Sequence, residues 1–225
     1  MTLRLSAARA REFWHALMAN AVGLIEDAAT LLAAGSAGRA QSLLVLALEE
    51  LARADAVYWA SLTAWEGEAD TVELAPVEEG GKHLSVSNSH RDKIEHAERN
   101  ALNLGPFWGD YSGWAPGEER PVPRVPKEVD EAKQAGFYVA NRQRNGGGFA
   151  SPLDIEKEPV TAELERVAQL AEMALIEDHT RKQDLGTATE DSAQDLHWKV
   201  IPYAHREMFR TVYGDLRDAE PETGD

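Results

Sequence analysis

The sequence predicts an all-α protein, a helical bundle with long irregular loops rich in aromatics, proline and glycine. Three observations carry that expectation. Apolar residues recur at helical spacing through most of the chain, and no long stretch alternates with the two-residue period of a strand. Most of the glycines and prolines, moreover, gather between the periodic segments.

Residues 6–34 carry Phe13, Leu17, Val22, Leu24, Ile25, Ala28, Leu31 and Leu32 at helical spacing, and the run stops at Gly35-Ser36-Ala37-Gly38, where glycine suits a helix C-terminus. A second helix follows at once over about 39–65, with Leu43, Leu44, Leu48, Leu51, Val57 and Leu62. So short a turn makes the two an antiparallel hairpin. Residues 66–86 hold an acidic EGEAD run, Pro76 and Gly80-Gly81, and read as a loop with at most a short extended piece. A third helix spans about 90–103 and is expected to pack through Ile94, Ala97 and Ala101. Residues 105–126 form no regular element, but Phe107, Trp108, Tyr111 and Trp114 suit packing on the body. A short helix over about 127–139 leads to a second irregular segment, NRQRNGGGFASP. A clear amphipathic helix runs over about 161–182, and a last one over about 198–216 is interrupted by Pro202. This divides the chain into a helical domain, 1–183, and a C-terminal helical extension, 184–225, with an acidic frayed end.

Composition narrows the chemistry. With no cysteine, disulfides, thiolate catalysis and cysteine zinc sites are excluded, which fits a cytoplasmic protein. The basic N-terminus is not followed by an uninterrupted apolar run, and no stretch is expected to span a membrane. A net charge of −16 repels a polyphosphate backbone, so DNA binding is not expected. An RNA substrate would require a site with its own local positive charge.

The segment SHRDKIEHAERN holds the candidate chemistry. At about 100° per residue, Arg91 and His96 lie about 140° apart with Asp92 between them, on the side away from Ile94, Ala97 and Ala101. The spacing is cheap: Arg9 and His15 form a rival pair. Ser89 and Asp92 also read as a helix cap, and Arg91 with Glu95 as a surface pair. On the second helix, Glu49-Glu50 interrupts a run of leucines. One carboxylate is expected near the core edge, with Arg53, four residues on from Glu49, as its cation. Orienting a site arginine and binding a metal are the alternatives for these carboxylates. A metal-dependent hydrolase would draw on Glu49, Glu50, His83, His90 and His96, but their spacing matches no tight metal signature.

Ala33-Ala34-Gly35, Gly38-Arg39-Ala40 and Leu46-Ala47-Leu48-Glu49-Glu50-Leu51-Ala52-Arg53-Ala54, followed by His90 with Lys93 and by Lys133-Gln134-Ala135-Gly136-Phe137-Tyr138-Val139, resemble the AbiV family of abortive-infection proteins within the HEPN superfamily of helical ribonucleases. Where that family usually shows Gly-Lys after Glu-Glu, this chain has Ala52 and Arg53. The resemblance covers about residues 12–180. It implies a HEPN-like bundle and a phage-defence role as a metal-independent endoribonuclease, a toxin-like protein with no cofactor. Arg91-Asp92-x3-His96 matches the superfamily's motif of an arginine, a polar residue, three to five others and a histidine, which normally lies on a helix at a dimer interface. Arg91, His96 and Asp92 would then be catalytic, and His90, Lys93 and Arg99 would hold RNA. Glu49, Glu50 and Arg53 would support them. The implied partners are a second copy of the chain, RNA, and a phage-encoded activator or cognate antitoxin. A HEPN scaffold can also serve as a non-catalytic binding protein, since fold does not dictate function.

Overall fold

The computed structural model describes residues 3–74, 89–102, 123–141, 148–187 and 192–206. The expected Phe107, Trp108, Tyr111 and Trp114 loop and His83 lie outside these, as does everything after Arg206.

Among the described residues six helices make the body: α1 (Ala7–Ala33), α2 (Ala37–Trp65), α3 (His90–Ala101), α4 (Pro126–Phe137), α5 (Lys157–Asp184) and α6 (Gln194–Ala204). The fold is all-α, as expected. Ser6 starts α1 by accepting a hydrogen bond from the Arg9 N–H. Gly35, at φ +79°, makes the left-handed turn that ends it, and the Ser36 N–H returns to the Leu31 carbonyl. α2 is the central helix and packs on α1, α3, α4 and α5. Trp14, Met18 and Ile25 of α1, Leu44, Leu48 and Val57 of α2 and Val167 of α5 fill the core.

Two short ribbons correct the helical picture. β1 (Leu3–Ser6) pairs antiparallel with β2 (Thr71–Leu74), in register Leu3↔Leu74 and Leu5↔Val72, and Val72 and Leu74 are buried. β3 (Ala140–Asn141) pairs with β4 (Phe149–Ala150) inside the segment expected to be irregular. α5 starts four residues before its expected position, with Pro159 in its first turn, where a missing N–H costs nothing. α6 also starts four residues early and carries Pro202 within it. It packs on α5 and α1, burying Leu196, Val200 and Ala204 in the common core. The expectation that no stretch could span a membrane needs amending. α1 is long and apolar enough by length and composition, though its Trp14, Met18, Ala21 and Ile25 face is packed inside the bundle.

Glycines bring α4 against α2. A Cβ on Gly136 would lie 2.1 Å from the Gly38 carbonyl oxygen and 2.2 Å from Ser42 Oγ. Ser42 Oγ donates to the Lys133 carbonyl at 2.7 Å across the same crossing. One on Gly38 would lie 2.4 Å from the Pro152 carbonyl oxygen. This close approach is the physical content of the Gly38 and Gly136 positions in the motifs above.

Candidate functional site: two carboxylate–histidine pairs between α2 and α3

α2 presents two carboxylates to α3, and each meets a histidine. Glu49 Oε2 lies 2.6 Å from His90 Nδ1, and Asp55 Oδ2 lies 2.6 Å from His96 Nε2. Both pairs are 41 residues apart in sequence. The constant offset is what two helices running in the same direction produce. An ionised carboxylate only accepts, so in each pair the facing ring nitrogen carries the proton. His96 is thereby left with Nδ1 as its basic nitrogen, and His90 with Nε2.

The two pairs differ in surroundings. Glu49 is buried, its side chain 3% exposed, and it also accepts from Lys133 Nζ and Lys93 Nζ, each at 2.8 Å. Burial alone would raise its carboxyl, but the hydrogen bonds from Lys133, Lys93 and His90 outweigh it and hold Glu49 below the ordinary carboxylate range. For Lys133, burial pulls the ammonium down while Glu49 and Asp130 more than compensate, leaving it above the usual lysine value. The cluster ties α2, α3 and α4 at one point. With two ammonium groups on its oxygens, Glu49 is a poor metal ligand. Among the described residues, no three His, Asp or Glu side chains converge as a metal site.

Asp55 is held differently. Oδ1 accepts from the Trp59 indole N–H at 3.1 Å, while Oδ2 takes His96. His96 is largely covered, with Asn100's amide 3.4 Å from its Nε2. Asp55, Trp59 and Asn100 line a cleft of about 260 Å³ between α2, α3 and α5. Glu177 of α5 lines it too; burial, the Asp55 charge and the Asp178 charge push its carboxyl up.

The expected site residues are thus sorted by the fold. Arg91 and Asp92 are exposed, and Arg91 has no hydrogen-bond or ion-pair partner among the described residues. The Asp92 N–H donates to Ser89 Oγ, the cap that the sequence suggested. His96 does not share their outward face: it leans onto α2. α3 is packed on more than one side, by α2 and α4, so no single polar face exists. His90 and Lys93 turn toward Glu49, and Arg99 pairs with Glu95 on the surface. Glu50, not Glu49, takes Arg53, at 2.9 Å. The rival Arg9 pairs with Glu12 on the exposed side of α1.

Residues that the sequence reading passed over hold the rest together. Asp55 is the orienting carboxylate; its only sequence signal was a lone acid in an alanine-rich stretch of α2. Glu98, buried on α3, accepts from Arg124 at 2.7 Å and Arg166 at 2.8 Å. Asp178 receives both terminal nitrogens of Arg11, at 2.7 and 2.8 Å.

The model of the AbiV family, a HEPN family, matches residues 9–172, which contain all but the first two residues of α1, the whole of α2, α3 and α4, and both carboxylate–histidine pairs. No curated protein and no solved structure matches the chain.

Proposed function

The chain belongs to the AbiV family of abortive-infection HEPN proteins, and from that premise we propose that it is a phage-defence effector that cuts RNA without a metal. The observation that carries this reading is the His96–Asp55 pair, a histidine whose Nε2 is held by a carboxylate that itself lines a cleft, leaving Nδ1 for a substrate. Cleavage by the neighbouring 2′-oxygen needs a base for the 2′-OH proton, an acid for the leaving 5′-oxygen and a cation for the charged phosphorane. His96 Nδ1 takes the first proton, and the Asp55 charge stabilises the imidazolium that forms. Arg91, permanently charged and free of partners among the described residues, is the cation that can grip two phosphate oxygens.

A two-fold homodimer supplies what one chain lacks. Arg91 points outward while His96 leans on α2, so an Arg91 from one protomer and a His96 from the other suit a shared phosphate, with the second His96 as acid. His90 and Lys93 contribute less positive charge than their sequence promises, because Glu49 neutralises them. That neutralisation favours a second reading, a non-catalytic HEPN binding protein for a phage or toxin partner. Incubation of wild type, His96→Ala and Arg91→Ala with total RNA and tRNA, with and without EDTA, separates the two. The nuclease reading expects EDTA-resistant cleavage that both substitutions abolish. A pure, folded dimer that leaves RNA intact supports the binding reading.

A further inference from the structure

We propose that the cleft beside His96 is a base-recognition pocket for guanine in single-stranded RNA, with Glu177 as the residue that reads the base. The identity of the ligand as RNA rests on the nuclease reading above; the pocket itself does not.

The hollow has a shape and a chemistry that fit a flat heterocycle. Small side chains open it: Ala52 and Ala97 are buried at its floor, with Leu51 and Leu170 around them. Its volume of about 260 Å³ can take one fused two-ring base and lies just below the range of pockets that hold drug-sized ligands. At its rim stands Trp59, an indole 51% exposed whose N–H is already anchored on Asp55. An exposed, fixed aromatic plane is the usual platform on which an unstacked base rests.

The polar groups select the base. Asp55 is occupied by His96 and Trp59, whereas Glu177 makes no hydrogen bond or ion pair among the described residues. It stands at the exposed mouth of the cleft, where partial burial and the Asp55 and Asp178 charges raise its carboxyl. Its two oxygens, which no described residue uses, match two adjacent donors on a ligand seated in the cleft. Guanine alone among the four RNA bases presents two side by side, N1–H and the N2 amino group. Adenine and cytosine present one donor beside an acceptor, and uracil one donor between two acceptors. The Asn100 amide, on the α3 side, supplies the donor for guanine O6. An acidic cleft rejects phosphate but not a neutral base. The phosphate therefore stays outside with Arg91, and the base enters the cleft.

Ligand-observed NMR titration of the full chain with guanosine, inosine, adenosine, cytidine and uridine tests the pocket without any cleavage step. These probes are uncharged, so the protein's net charge affects them alike. Guanosine is expected to bind, with inosine, lacking the N2 donor, about tenfold weaker and the others weaker still. Glu177→Gln, a rim substitution that leaves the core untouched, should remove the preference, and Trp59→Ala should weaken guanosine about tenfold. Equal binding of all five, binding of none, or an unchanged preference in Glu177→Gln overturns the proposal. So does tighter binding of Nα-acetyl-arginine amide, which would assign the cleft to a basic protein segment instead. Persistent RNA cleavage without guanosine binding sinks the pocket and leaves the nuclease standing; guanosine binding by a protein that never cuts RNA does the reverse.

Discussion

Glu49→Gln is the substitution whose cost follows most directly from the packing. The side chain keeps its shape but loses the charge that two ammonium groups and an imidazole share at 2.6–2.8 Å. Lys133 and Lys93, 6% and 13% exposed, then face an amide whose NH₂ is itself a donor. Removing one member of a buried ion cluster costs about 3–5 kcal/mol. The low end, ~3 kcal/mol, applies because Lys133 keeps Asp130 at 3.0 Å. For a chain of this size that is a fall of roughly 6–12 °C in Tm. Thermal and urea unfolding at pH 7 read it. The triple variant Glu49→Leu, Lys93→Met, Lys133→Met should recover most of the loss, because an apolar replacement strands no charge. Glu49→Gln melting within about 2 °C of wild type would contradict the cluster's role in fastening α2, α3 and α4.

Other outcomes are equally specific. Gly136→Ala should destabilise by ~3 kcal/mol or lose the fold, since its Cβ meets backbone, while Gly148→Ala, with open space around it, should be neutral in the same melts. Glu49 and Glu98 are both held below the ordinary carboxyl value of 4.5. Their stabilisation is therefore full above that value and lost as pH falls through the lowered ones. Urea midpoints should be flat near neutrality and fall below about pH 4.5, and the fall should be shallower in Glu98→Gln. Asp55→Asn should lower RNA cleavage roughly tenfold or more with the fold intact, because the imidazolium loses its counter-charge. Arg9→Ala and His15→Ala should leave cleavage unchanged; loss of cleavage there would move the site to α1.

Periodicity made the helices legible, and glycine made the α1–α2 turn legible. Ile94, expected in the core from its place on one face of α3, is fully buried. Four-residue strands such as β1 are too short to show alternation, so that ribbon was invisible. The partner of Glu49 was misread for a different reason. Sequence spacing sees only neighbours one turn away, hence Arg53, whereas Lys133 is 84 residues distant. His96 was expected on an outward face because a helical wheel assumes one covered side. α3 has α2 and α4 on two sides, and its Glu98 is buried as well. Asp55 could not be picked out because its meaning depends on a 41-residue offset that only the packed helices create.

The measurement that tests the nuclease account most directly is end-group analysis of RNA cut by the purified protein in EDTA. Attack by the 2′-oxygen, with His96 as base and Arg91 on the phosphorane, predicts 2′,3′-cyclic phosphate ends and 5′-hydroxyl ends. Yields should fall at least roughly a hundredfold in His96→Ala and in Arg91→Ala. Arg91→Ala should leave stability within about a kcal/mol of wild type, whereas His96→Ala also gives up its bond to Asp55 and should cost about 1.5–3 kcal/mol. Products with 3′-hydroxyl and 5′-phosphate ends, or cleavage that stops in EDTA, would contradict the account.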